Sequence, residues 1–170
     1  MTNPSLAAHV GSWTLDAAST RIAFTTKAMW LLPVKGSFKA LSGTGVAGDD
    51  GSVTGSLEID PASVSTGMAK RDTHLLTDDF FNVAKYPTFT YTLTAVKPAT
   101  DGRFTLTGTF TAVGQTHPLN LVGTVDSAAP GAITVNAEGD LDRTKWGLAW
   151  TKMGAGMHSH LIVTAVFTKA

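Results

Sequence analysis

A strand-like alternation of apolar and polar residues runs through most of this chain and is interrupted once. Val53, Gly55, Leu57 and Ile59 alternate with Thr54, Ser56, Glu58 and Asp60. Phe89, Tyr91, Leu93 and Ala95 alternate with Thr90, Thr92 and Thr94. A period of two places one set of side chains on one buried face. Between these runs lies STGMAKRDTHLLTDDFFNVAKYP, from Ser65 to Pro87. Here Met68, Arg71, Leu75, Leu76 and Phe80 recur every three to four residues or so, which predicts a short helix over about 68–82. Ser65 or Thr66 is placed to cap its start. The pattern therefore describes a β-sheet with one helical excursion, an element suited to covering the end of a barrel and governing access to its interior.

Strands are predicted over about 12–16, 20–28, 34–46, 53–60, 88–97, 103–113, 117–126, 132–142 and 159–169. Gly48-Asp49-Asp50-Gly51, Thr100-Asp101-Gly102 and Ala129-Pro130-Gly131 supply tight turns. Short connections imply an antiparallel meander, and no linker or repeat divides the 170 residues, so a single all-β domain is expected. About eight long strands close most economically into a barrel, which removes exposed edges; an open sandwich is the alternative.

The face predicted to point inward mixes small and large residues. Gly55, Ala95, Gly108, Ala112, Gly123, Ala137, Gly139 and Ala165 sit among Leu57, Leu93, Leu106, Phe110, Leu121, Val135, Leu141 and Val163. An eight-stranded barrel either fills with side chains or holds one small ligand. The small residues either leave space or relieve strand coiling while their neighbours fill the gaps. The opposite face carries Thr105, Thr107, Thr109 and Thr111 and reads as a solvated strand surface.

Thirteen basic residues balance thirteen acidic ones, so no net field favours nucleic acid. The chain lacks cysteine, which removes disulfides, thiol chemistry and thiolate metal sites. The longest apolar run, Ala28 to Val34 (AMWLLPV), is too short to span a bilayer as a helix. It is also too apolar for an ordinary exposed loop, and suits a lipid portal, a core contact or an oligomer interface. MTNPSLAAHVGSW has neither a basic start nor a long apolar run, so no signal peptide is read and a cytoplasmic location is expected.

Few residues suggest chemistry. His158 and His160 share a strand face and could chelate a metal, but a site needs three or four ligands. Asp72, two residues from His74, could orient it as half of an acid–base pair, yet no nucleophile elbow accompanies them. Arg143 near Trp146, Trp150 and Met153 could hold a phosphate or another polar headgroup, or could cover its neighbours with its aliphatic stem. No catalytic set, metal set or cofactor motif is expected.

Several segments together resemble the YceI-like domain family. They are Trp13, Leu15-Asp16, Ser19, Ile22 and Phe24; Gly36-x-Phe38; SVSTG from Ser63 to Gly67; Arg71-Asp72, His74-Leu75, Asp79-Phe80-Phe81 and Tyr86-Pro87; and GQTHPLNL from Gly114 to Leu121. Their order and spacing cover about Trp13 to Phe167. The resemblance implies a lipocalin-like antiparallel barrel of eight strands that binds an isoprenoid lipid or quinone inside and performs no catalysis. It tips the interior toward a cavity and leaves room for a homodimer. Phe24, Trp30, Phe38, Leu57, Leu75, Phe80, Leu93, Leu106, Gly108, Phe110, Leu121, Val135, Arg143, Trp146 and Val163 are then the expected ligand contacts. Arg71, Asp72 and His74 would pin the helix or face the lipid's polar end. Many relatives carry a histidine after the lysine at Lys27, where this chain has Ala28. An enzyme acting on such an amphiphile, or a cavity-free stress or interaction barrel, are the competing readings.

Overall fold

The computed structural model describes residues 9–28, 32–148 and 158–170. Its strands are β1 (Gly11–Leu15), β2 (Arg21–Ala28), β3 (Leu32–Ala47), β4 (Val53–Ser65), β5 (Phe89–Pro98), β6 (Phe104–Ala112), β7 (Gln115–Pro118), β8 (Leu121–Ala129), β9 (Ala132–Asp142) and β10 (His158–Lys169). One α-helix, α1 (Ala69–Leu75), follows β4. All strand pairings are antiparallel. The order β10-β2-β3-β4-β5-β6-β8-β9 returns to β10, so eight strands close a ring.

Ten strands make eight because two of the eight are broken. β1 and β2 successively fill the same slot between β3 and β10: Trp13 pairs with Gly45 and Lys169, and Ile22 pairs with Phe38 and Val163. The break is a 3-10 turn over Ala17–Ser19. Asp16 accepts from the Ser19 hydroxyl at 2.8 Å and donates its own N–H to Val166 O at 2.7 Å. Thr20 donates its hydroxyl to Asp16 O at 2.8 Å and accepts from Val166 N–H at 3.1 Å. These contacts replace the ladder bonds that the turn removes. β7 and β8 likewise share the slot beside β6, with the chain stitched at the break by Leu119 N–H to Gly108 O, 2.9 Å.

Bulges change which residues face inward. In β3 the register shifts between Ala40 and Ser42. The inward set passes from Gly36 and Phe38 to Gly43, Gly45 and Ala47, which leaves Leu41 and Val46 exposed. In β5 the register shifts between Leu93 and Ala95, and Val96 rather than Ala95 packs against the core.

α1 is shorter than the predicted 68–82. Chain reversal begins after Leu75, with Thr77 donating its hydroxyl to His74 O at 2.7 Å and Phe81 N–H bonding Leu75 O at 2.9 Å. Adjacent Phe80 and Phe81 both turn toward the barrel core. Asn82 takes a left-handed φ of 49° in this turn. Neither Ser65 nor Thr66 caps α1: Met68 is the cap residue and makes no side-chain cap bond. Thr66 instead donates both its N–H and its hydroxyl to the Asp72 carboxylate.

Candidate functional site

The register places α1, the β6–β7 turn and the 3-10 turn Arg143–Trp146 at one end of the barrel. The tight turns after β3, β5 and β8 lie at the other. Between these ends the barrel holds a cavity of about 720 Å³. That lies within the range of small-ligand sites, roughly 300–1,000 Å³. Trp13, Val125, Ile133 and Phe167 line it near the tight-turn end, and the strand interiors contribute Leu57, Leu93, Leu106, Leu121, Val135 and Val163.

Toward the helical end the wall becomes aromatic. Ring centroids step from Phe24 to Phe38 (5.3 Å), Phe89 (5.8 Å), Phe110 (5.7 Å) and Trp146 (5.7 Å). Phe80 and Phe81 join at 4.8 Å. Gly36, the cross-strand partner of Phe24, makes this possible, since a Cβ there would lie 2.3 Å from the Phe24 ring. Trp146 is 2 % exposed and donates its indole N–H to Phe110 O at 2.8 Å, which fixes the Arg143–Trp146 turn to β6.

Among the expected contacts, Phe24, Phe38, Leu57, Leu75, Phe80, Leu93, Leu106, Phe110, Leu121, Val135, Arg143, Trp146 and Val163 line this one cavity. Trp30 lies outside the described residues, as do Trp150, Met153 and part of the 28–34 loop. Gly108 is a correction. Its inward space is taken by the Tyr91 ring, with the phenol oxygen 2.7 Å from where a Cβ would stand. Gly139 is covered in the same way by Leu121, at 2.6 Å. Gly55, Ala112, Gly123, Ala137 and Ala165 do line the cavity.

Ile59, Phe89, Tyr91, Phe104 and Phe167 also line it and were absent from the expected contacts. Phe89 and Tyr91 stand in phase with Leu93, Phe104 with Leu106, and Phe167 with Val163, so alternation could have found them. Leu119 and Leu148 come from breaks and turns, where no period points inward.

The polar groups are mostly committed to structure. Tyr91 donates its hydroxyl to Leu119 O at 2.9 Å, and burial pushes its pKa up to about 12. Arg71 donates from Nε to the Thr66 hydroxyl and from Nη2 to Thr66 O, both at 2.8 Å. The expected Asp72–His74 pair does not form. Asp72 is engaged by Thr66, and His74 Nε2 instead meets Asp79 at 3.0 Å. Arg143, 5 % exposed, donates to Leu148 O and lies 5.4 Å over the Phe80 ring. Burial lowers its pKa, with neighbouring Asp142 acting in the opposite sense. His160 sits on the outer face of β10, 2.9 Å from Asp140 and 3.4 Å from Glu138, whereas Ser159 and Leu161 between and beside the histidines line the cavity. Among the described residues, no group of three or more such side chains could hold a metal ion.

A closed antiparallel barrel around an apolar cavity defines a class of hollow binding barrels. The chain belongs to the YceI-like domain family, whose sequence profile matches residues 13–167. It is 41% identical over 92 residues to Protein YceI of Escherichia coli O157:H7, covering 51% of this chain and 46% of that protein. The matched segment thus spans about half the length of the curated relatives. Burkholderia cenocepacia BcnA superimposes with a TM-score of 0.80 at 20% identity, covering 89% of this chain and 98% of that one. A polyisoprenoid binding domain from Saccharophagus degradans, implicated in plant cell wall breakdown, gives 0.76 at 17% identity, covering 93% and 98%. At such identities the likeness establishes the shared fold.

Proposed function

We propose that this barrel binds and carries a long isoprenoid-type lipid or quinone, with the tail in the cavity, and performs no chemistry on it. The observation that carries the reading is the barrel cavity of about 720 Å³, walled by strand-borne aliphatic side chains and an aromatic girdle. Transferring each methylene of a tail from water to such a wall contributes about 0.8 kcal/mol before ordering costs, so affinity needs no elaborate polar site. The Saccharophagus domain of the same fold, described as polyisoprenoid binding, supports this ligand class. The committed hydrogen bonds of Arg71, Asp72 and Tyr91 support a structural use of the polar residues rather than acid–base catalysis.

Native mass spectrometry of protein purified without detergent, followed by lipid extraction, tests the reading. A co-purifying prenyl lipid is expected, or uptake of an added polyprenol or prenylquinone by delipidated protein. A protein that neither retains nor takes up any prenyl lipid overturns it. Incubation with prenyl alcohols, prenyl phosphates and quinones should yield no product; turnover lost in folded His74→Ala protein would establish an enzyme instead.

A further inference from the structure

The dipeptide Asp-Gly occurs twice in this chain, at Asp50–Gly51 and at Asp101–Gly102, and both aspartates are exposed. In such a pair the glycine amide nitrogen can attack the aspartate side-chain carbonyl carbon, because no Cβ on the second residue stands in the way. An N–C bond forms, the carboxyl C–O bond breaks, and the amide proton leaves with the hydroxyl as water. Water then opens the cyclic succinimide. Addition at the side-chain carbonyl restores aspartate. Addition at the main-chain carbonyl gives isoaspartate, whose backbone runs through the side-chain carbons and is longer by a methylene. The water lost is regained, and nothing is oxidised or reduced.

The fold treats the two pairs differently. Asp50 Oδ1 accepts from the Ser52 hydroxyl at 2.6 Å and from the Ser52 N–H at 3.0 Å. These bonds hold the Asp50 pKa below the ordinary carboxylate value, and an ionised carboxylate has no hydroxyl to expel. They also restrain the rotation of the carboxyl group that the attack requires. Asp101 and Gly102 are the central residues of the turn Thr100–Arg103, with φ of 60° and 72°, the left-handed pair that two-residue hairpin turns use. No hydrogen bond or ion pair among the described residues holds the Asp101 carboxylate. Outside the adjoining residues, no atom lies within 4 Å of where a Cβ on Gly102 would stand, so neighbours leave the turn room to rearrange.

We propose that Asp101–Gly102, and not Asp50–Gly51, is a site at which the folded protein converts to isoaspartate, and so a substrate for enzymes that methylate isoaspartyl carboxylates. This stands apart from the carrier reading. The longer backbone would disturb the two bonds that tie the turn, Arg103 N–H to Thr100 O at 3.1 Å and Ala99 N–H to Arg103 O at 2.8 Å. Phe104, 2 % exposed and on the cavity wall, follows directly.

The test ages the folded full chain and a urea-unfolded sample side by side in neutral buffer. Isoaspartate is located by peptide mapping with electron-transfer fragmentation and counted by enzymatic methylation of the intact protein. In the folded sample it should accumulate several-fold faster at Asp101 than at Asp50, and in urea the two rates should converge. Ser52→Ala should raise the rate at Asp50 and leave Asp101 unchanged, and Asp101→Glu should remove most of the methylation of the folded protein. Hydrogen exchange in the aged fraction should quicken at the β5–β6 turn; unchanged exchange there overturns the structural consequence. Equal rates at the two sites in the folded protein, or a faster rate at Asp50, overturn the proposal. So does a persistent difference in urea, since sequence rather than fold would then set the rates. A folded Ser52→Ala protein with Asp50 still protected refutes the role of the Ser52 bonds, and if that variant misfolds the folded-to-unfolded comparison of the parent decides.

Discussion

Gly108 and Ala112 lie in phase on β6, yet they differ in what an added side chain would meet. A Cβ on Gly108 would stand 2.3 Å from Thr92 O, a backbone atom that cannot turn aside. Ala112 is 1 % exposed and lines the cavity. Gly108→Leu should therefore destabilise the protein by at least the 1–3 kcal/mol typical of overpacking. Ala112→Phe should weaken prenyl-lipid binding, because the ring would compete with the tail, at a smaller cost in stability than Gly108→Leu. Urea denaturation paired with a lipid titration separates the two effects, and a Gly108→Leu protein as stable as its parent would refute the packing described. Tyr91 offers a second residue-scale test. Its buried hydroxyl satisfies Leu119 O, so Tyr91→Phe should cost about 1–2 kcal/mol in equilibrium denaturation. Its folded pKa of about 12 lies above the ordinary 10.0. The linked stabilisation is thus fully present below pH 10.0 and is lost as pH rises toward 12. Ultraviolet titration of the parent should show one phenolate signal near pH 12 or at alkaline unfolding, and Tyr91→Phe should remove it.

At the scale of elements, α1 is held by its connection as much as by its own turn. Thr66 stands between Asp72, which accepts from its N–H and hydroxyl, and Arg71, which donates to its hydroxyl and carbonyl. Thr66→Val removes the hydroxyl from both partners and should cost about 1–3 kcal/mol, because one of the bonds is to a carboxylate. Hydrogen exchange should show the loss concentrated in α1 and the following turn; uniform loss across the barrel would contradict a local clamp. On the β9–β10 seam, Asp140, and secondarily Glu138, raise the pKa of His160 above its ordinary 6.5. The associated stabilisation is present below pH 6.5 and fades as pH rises through the folded value. Its size is small because the ring is about two-fifths exposed. Proton NMR should find the His160 titration shifted upward, and Asp140→Asn should move it back toward 6.5.

For the molecule as a whole, the eight-strand ring turns ligand binding into a property of the entire fold, since every strand of the ring lends residues to one cavity. A prenyl ligand at one hundred times its Kd should add about 2.7 kcal/mol of stability and raise Tm by roughly 5–10 °C for a domain of this size. Calorimetry with and without ligand checks this, and an unchanged Tm at saturation would contradict binding inside the barrel. Much of this architecture is legible in the chain. Alternation is a local property of consecutive residues, so Leu57, Leu93, Leu106, Leu121, Val135 and Val163 could be assigned to one face before any partner strand was known. The single lapse of that alternation after Ser65 marked the helical excursion, and the ordered motifs from Trp13 to Phe167 marked the family. What the chain alone left open depends on contacts between distant segments. Whether a small residue makes space is set by its cross-strand neighbours: Tyr91 closes over Gly108, while Ala112 remains on the cavity wall. A bulge reverses the phase of β3 beyond Ala40 without any local signature. Asp72 turns to Thr66, the residue just beyond β4, rather than to His74. Periodicity fixed the fold class and the faces of the unbulged strands, whereas volume, register and choice of hydrogen-bond partner were decided only when the barrel closed.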